Sequence, residues 1–131
     1  MEIQEICIGD YVSIDGVPHI VNAVHGDKGA VNLIDREFLS YANNLEPIPL
    51  TEEILENSGF EKQKNPYLSS KNKSTYKSGS VEVSFPNKYS TDDILLLIES
   101  THRCVYFQIK YVHELQQAMR ICKIEKFIKC K

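Results

Sequence analysis

Apolar and polar positions change their period three times along this chain, and each change marks a different element. Tyr11-Val-Ser-Ile runs into Asp15-Gly16, a dipeptide that supplies the positive φ values of a tight hairpin, and residues 19–25 read as the returning strand. Gly26-Asp-Lys-Gly29 makes a second turn, residues 30–34 a third strand, and residues 38–41 a fourth before Asn43-Asn44. Short, β-branched and closely spaced segments predict an antiparallel meander curling toward a small barrel.

Residues 47–60 then spell out a short helix. Pro47 and Pro49 hold the approach extended, Thr51 is an N-cap, and Glu52 and Glu53 complement the positive end of the helix dipole. Leu50 can staple onto Leu55, and Gly59 supplies a left-handed stop. About two turns cannot stand alone, so Ile54, Leu55 and Phe60 must dock on something larger.

Residues 61–79 are rich in Lys, Asn and Ser, with only Tyr67, Leu68 and Tyr76 for apolar grip, and much of this stretch is expected to be a mobile loop. Val81-Glu-Val-Ser-Phe85 alternates, as a half-buried strand does. Ile94-Leu-Leu-Leu-Ile98 does not alternate, which predicts a central strand covered on both faces. Residues 104–109 pair back onto it with Val105, Phe107 and Ile109 on one face. From Tyr111 the spacing turns helical: Tyr111, Leu115, Ala118 and Cys122, widened by Val112 and Met119, predict an amphipathic helix over 111–122 lying on the sheet. Residues 123–131 are basic, anchored only by Ile124, Phe127 and Ile128.

The predicted fold is therefore α+β: an N-terminal antiparallel meander or SH3-like small barrel, a short helix, and a second antiparallel sheet packed by a C-terminal helix. The 131 residues, 42% of them apolar, suffice for one core and predict a single compact domain, with lobes at 1–60 and 61–131. Charge divides at the same place. Residues 1–60 hold eleven acids against Lys28 and Arg36, a formal −9, while residues 61–131 hold thirteen bases against seven acids, a formal +6. Either the halves attract each other, within one chain or head to tail between chains, or the basic half binds nucleic acid.

The N-terminus has neither a basic leader nor an apolar run of signal length, and the longest apolar run is far too short to span a bilayer. A cytoplasmic protein without membrane association is expected. Cys7, Cys104, Cys122 and Cys130 include no Cys-x-x-Cys, so they read as free thiols, with Cys104 and Cys122 buried and Cys130 exposed and reactive.

No glycine-rich phosphate loop, nucleophile elbow or paired acidic motif is present, so no catalytic residue is assigned and no cofactor is expected. His19, His25 and His102 lack metal-ligand spacing, and no metal is expected. His113, Gln116 or Gln117, and Arg120 share the polar face of the last helix and are candidate binding groups for an anionic or amide-bearing ligand, with Tyr106 a candidate pocket neighbour of His113. Solvated helix surface is the simpler reading of the same stripe. Lys71, Lys73, Lys77 and Lys88, with Tyr76 among the interleaved rings, are candidates for tracking a phosphate backbone and stacking bases. The acidic first half opposes that reading.

Three segments in order carry a resemblance: Ile8-Gly-Asp-Tyr-Val12, Ile48-Pro-Leu-Thr-Glu-Glu-Ile-Leu55 with Gly59-Phe60, and Ile109-Lys-Tyr-Val-His-Glu-Leu-Gln116. They resemble small proteins encoded by Bacteroidetes genomes, their prophages and phages. The resemblance implies an intracellular, mobile-element-associated protein and supplies no catalytic residues; residues 118–131 depart from its aromatic C-terminal pattern. The expected function is a non-enzymatic binding or accessory module that engages a protein partner or self-associates. Gly9-Asp10-Tyr11-Val12 followed by Asp15-Gly16 is also similar to the opening of SH3-like and KOW-type barrels of translation and transcription proteins, so a nucleic-acid-associated barrel of that type, or a small-molecule sink, is the alternative.

Overall fold

Asp15 and Gly16 both take positive φ, 49° and 79°, so β1 (Tyr11–Ile14) folds straight back into β2 (Val17–His25) as the dipeptide demands. The second turn returns β3 (Ala30–Leu33), and β4 (Ser40–Tyr41) completes an antiparallel sheet in the order β1-β2-β3-β4. The fourth strand is shorter than expected because Phe38 stands outside it, 81% exposed. Between Val21 and Ala23 the pairing with β3 slips by one residue, and such a bulge bends a strand and adds twist. The computed structural model, which describes residues 1–63, 74–86, 93–99 and 104–130, shows this sheet curled into a half-barrel. Inside it Ile6, Val12, Val21, Val31, Leu33, Ala42 and Leu45 form one core.

The rest of the chain builds a second, larger core. Helix α1 (Glu52–Asn57) begins where Thr51 Oγ1 accepts from the Ile54 N–H at 3.3 Å, and it ends at Gly59, whose φ of +86° is left-handed. Strands β5 (Glu61–Lys62), β6 (Ser74–Ser78), β7 (Val81–Phe85), β8 (Ile94–Glu99) and β9 (Cys104–Ile109) follow in sheet order, all antiparallel. Helix α2 (Val112–Ile121) starts at Tyr111, where the Glu114 carboxylate accepts from the Lys110 and Tyr111 N–H groups at 3.0 Å each. Leu55, Val83, Leu96 and Leu115 are fully enclosed between α1, this sheet and α2.

Two expectations are corrected here. Of the expected loop over 61–79, residues 64–73 lie outside the described residues, but residues 74–78 lie in a five-residue strand, because β7 supplies its ladder and Tyr76, 1% exposed, fills the core edge-on to Phe85. Residues 94–98 are not sheathed on both faces: Ile94, Leu96 and Ile98 are buried, whereas Leu95 and Leu97 turn to the half-exposed outer face of the sheet. An apolar run without alternation had concealed an alternating burial.

The two cores meet at β1 and at residues 46–50. Successive β1 side chains point to opposite faces, so Val12 enters the half-barrel and Tyr11 the larger core. Glu46 exchanges both backbone bonds with Ser13, at 2.8 and 2.9 Å; four residues on, Leu50 N–H donates to Lys110 O and Val112 N–H to Ile48 O. One extended segment is thus stitched to the first sheet at one end and to the start of α2 at the other.

Candidate functional site

The polar stripe of α2 faces the other lobe, not solvent. Asp10, at 0% exposure, is its target: Arg120 Nη1 donates to Oδ1 at 2.7 Å, Gln117 Nε2 to Oδ2 at 2.7 Å, and the Cys7 N–H to Oδ2 at 2.9 Å. Gln117 Nε2 also lies 2.8 Å from Glu5 O. Gln116 uses both ends of its amide, accepting from the Tyr11 N–H at 2.9 Å and donating to Gly9 O at 3.1 Å. Gly9 sits at φ +92°, and a Cβ there would come within 3.2 Å of Arg120 Nη2, so glycine is needed for both backbone and space. Three side chains spaced along α2 therefore clasp residues 5–11, and the acidic and basic halves touch through a charged pair.

Of the predicted binding residues, Gln117 and Arg120 are brought together, but as structural partners of Asp10. His113 is 6% exposed, stacked on Tyr111 with ring centroids 5.8 Å apart, and its Nδ1 has no hydrogen-bonding partner among the described residues. Tyr106, 64% exposed, belongs to the outward-turned residues of β9, away from the face that carries Val105, Phe107 and Ile109. The helix stripe and Tyr106 do not share a site. Asp10 and Gln116 are the residues that sequence reasoning undervalued: an aspartate between glycine and tyrosine reads as turn chemistry, and nothing local announces a partner 110 residues away.

Tyr76 is corrected as a base-stacking platform. It is a core side chain whose hydroxyl donates to Glu56 at 3.0 Å and Glu52 at 3.3 Å, and burial, reinforced by these carboxylates, pushes its phenol well above the usual range. Lys77 is exposed; Lys71, Lys73 and Lys88 lie outside the described residues. Among the described residues no group of three or more His, Cys, Asp and Glu is placed to hold a metal, and no helix is long and apolar enough to cross a membrane.

Beyond the clasp, residues 124–130 run back over the joint between the lobes. Lys129 N–H donates to Ser58 Oγ at 2.8 Å, Lys126 Nζ sits 5.4 Å from the Phe60 ring centroid, and Ile128 is buried in the larger core. Phe127 is 68% exposed, touching Tyr11 edge-on at 6.4 Å. Between this tail, α2 and the half-barrel lies a groove of about 360 Å³, lined by Ile20, Ile34, Met119 and Phe127, with Arg120 and Lys126 as its cations.

Cysteine exposure differs from expectation at three places, the first being Cys122, which is half-buried rather than buried. Cys104 is exposed because it falls on the outer face of β9, and Cys130 is half-buried where the tail is pinned; burial pushes its thiol up to about 11. A group whose pKa rises on folding stabilises the fold below its ordinary value, near 9.0, and that contribution is lost as pH climbs through about 11. At pH 8 a thiol reagent is expected to modify Cys104 at once and Cys130 about a hundred-fold more slowly until the chain is unfolded, readable by mass spectrometry of timed aliquots. Equal rates would mean that the tail is not held.

Comparison with protein-family models, with curated proteins and with solved structures finds no match to this chain.

Proposed function

We propose that this chain is a non-enzymatic cytoplasmic binding module, of phage or mobile-element origin, that engages a protein partner through the groove between its lobes. The observation that carries the reading is the pairing of Ile34, 64% exposed, with Phe127, 68% exposed, on the walls of one recess that also holds Arg120 and Lys126. Large apolar side chains projecting beside cations are what a protein interface uses as anchors, since burying them on a partner gives most of the affinity. The polar groups that sequence offered for chemistry support the same reading, because Gln116, Gln117 and Arg120 are engaged in holding the half-barrel. Four free thiols suit a reducing compartment, and the resemblance of the three segments to proteins of Bacteroidetes and their phages suggests the setting.

The test compares the tagged chain with its Ile34→Asp/Phe127→Asp variant in extracts of Bacteroidetes cells. Both substituted side chains are solvent-exposed, so circular dichroism should be unchanged. A protein retained saturably by the parent chain and about ten to a hundred-fold more weakly by the variant is the expected outcome. Retention that is unsaturable, or identical for both, would remove the groove from consideration.

A further inference from the structure

We infer that the outer edge of β9, unpaired among the described residues, is a self-association site that pairs antiparallel with β9 of a second copy about a two-fold axis at Tyr106. Sheet order leaves β9 at the end of the five strands. The phase of the ladder fixes which of its groups are free. Glu99 N–H donates to Ser80 O, so the odd-numbered residues of β8 address β7 and Ile94, Leu96 and Ile98 address β9, where they meet Ile109, Phe107 and Val105. Cys104, Tyr106 and Gln108 consequently direct their N–H and C=O groups to the open side. The same phase continues past the strand, where Lys110 O and Val112 N–H face outward and are taken by Leu50 and Ile48. That closure stops at Lys110, and among the described residues no backbone bond covers 104–108.

Edges of this kind are normally blunted by a charge, a proline, a bulge or shortness. The other edges obey: β4 and β5 have two residues each, and β1 is bridged by Glu46. Cys-Val-Tyr-Phe-Gln-Ile has no charge and no proline, and its register with β8 is unbroken over six pairs. The occupant follows from symmetry. The open stretch 104–108 is centred on Tyr106, so a second copy laid antiparallel places Tyr106 opposite Tyr106, Cys104 opposite Gln108, and the half-buried Val105 opposite Phe107. Outward groups then meet outward groups, the apolar inner rows join, and no like charges face each other. The arrangement is isologous and closes at two copies.

Sedimentation velocity of the full chain between about 5 and 500 µM should show reversible dimerisation. Amide exchange at high concentration should slow at Tyr106 and Gln108. Tyr106→Pro deletes an N–H that the internal ladder does not use, and Tyr106→Lys sets like charges across the axis; either should weaken the dimer about a hundred-fold or more. If the proline variant fails to fold, the lysine variant decides. A parent chain that stays monomeric throughout, or a dimer indifferent to these changes, overturns the inference. Ile34→Asp/Phe127→Asp should dimerise normally, so failure of the groove reading and failure of this one are separable.

Discussion

Leu115→Ala is expected to cost about 3–5 kcal/mol in urea unfolding. Leu115 is 0% exposed and sits on α2 within the larger core, among side chains contributed by α1, the second sheet and the tail. Removing three carbons there forfeits transfer free energy and leaves a cavity, since neighbours on a helix and a sheet cannot both move in. The damage should not stay in one core. Helix α2 also carries Gln116, Gln117 and Arg120, so loosening it loosens the hold on residues 5–11. Fluorescence of the tyrosines and far-ultraviolet dichroism should therefore lose structure in a single shared transition. A cost below about 1 kcal/mol would show that α2 does not close the core.

Arg120→Met is expected to destabilise the fold by about 2–3 kcal/mol, while the double variant Asp10→Asn/Arg120→Met should cost clearly less than the sum of the two single changes. The asymmetry comes from exposure. Asp10 is wholly buried, so taking away its cation strands a carboxylate on two neutral donors, the Cys7 N–H and Gln117 Nε2. Arg120 is 39% exposed, and water reaches the guanidinium, which brings the cost below that of breaking a fully buried pair. Methionine keeps apolar volume over the groove, so the measurement isolates the charge. Because one partner is enclosed, added salt should change the result little. Strict additivity of the two changes would reduce the clasp to an ordinary surface ion pair.

The elements that could be read from sequence are those whose signals are local. Asp15-Gly16 demanded positive φ and has it; Thr51 caps α1; Gly59 stops it; the spacing of Val112, Leu115, Ala118 and Met119 marks the face that α2 buries. Strand β6 was hidden by its composition. Ser-Thr-Tyr-Lys-Ser has one large apolar side chain, and only the ladder offered by β7 and the space beside Phe85 make it a strand with Tyr76 inside. The candidate site was legible as a stripe on α2 but not as to what the stripe touches. His113, Gln117 and Arg120 looked like one surface, yet the first is buried beside Tyr111 and the other two bind Asp10.

Sequence alone determined that this chain is α+β, with a meander, a capped short helix, an antiparallel group and a closing amphipathic helix, because turns, caps and hydrophobic periods act within a few residues. Tertiary structure alone decided which polar groups remain free. Asp10 meets Arg120 across 110 residues of chain and Tyr11 meets Gln116 across 105, and Cys130 owes its raised thiol to burial where the returning tail is held. Hydrogen bonding and burial depend on distance in space, and over such separations only the completed packing of both cores sets that distance.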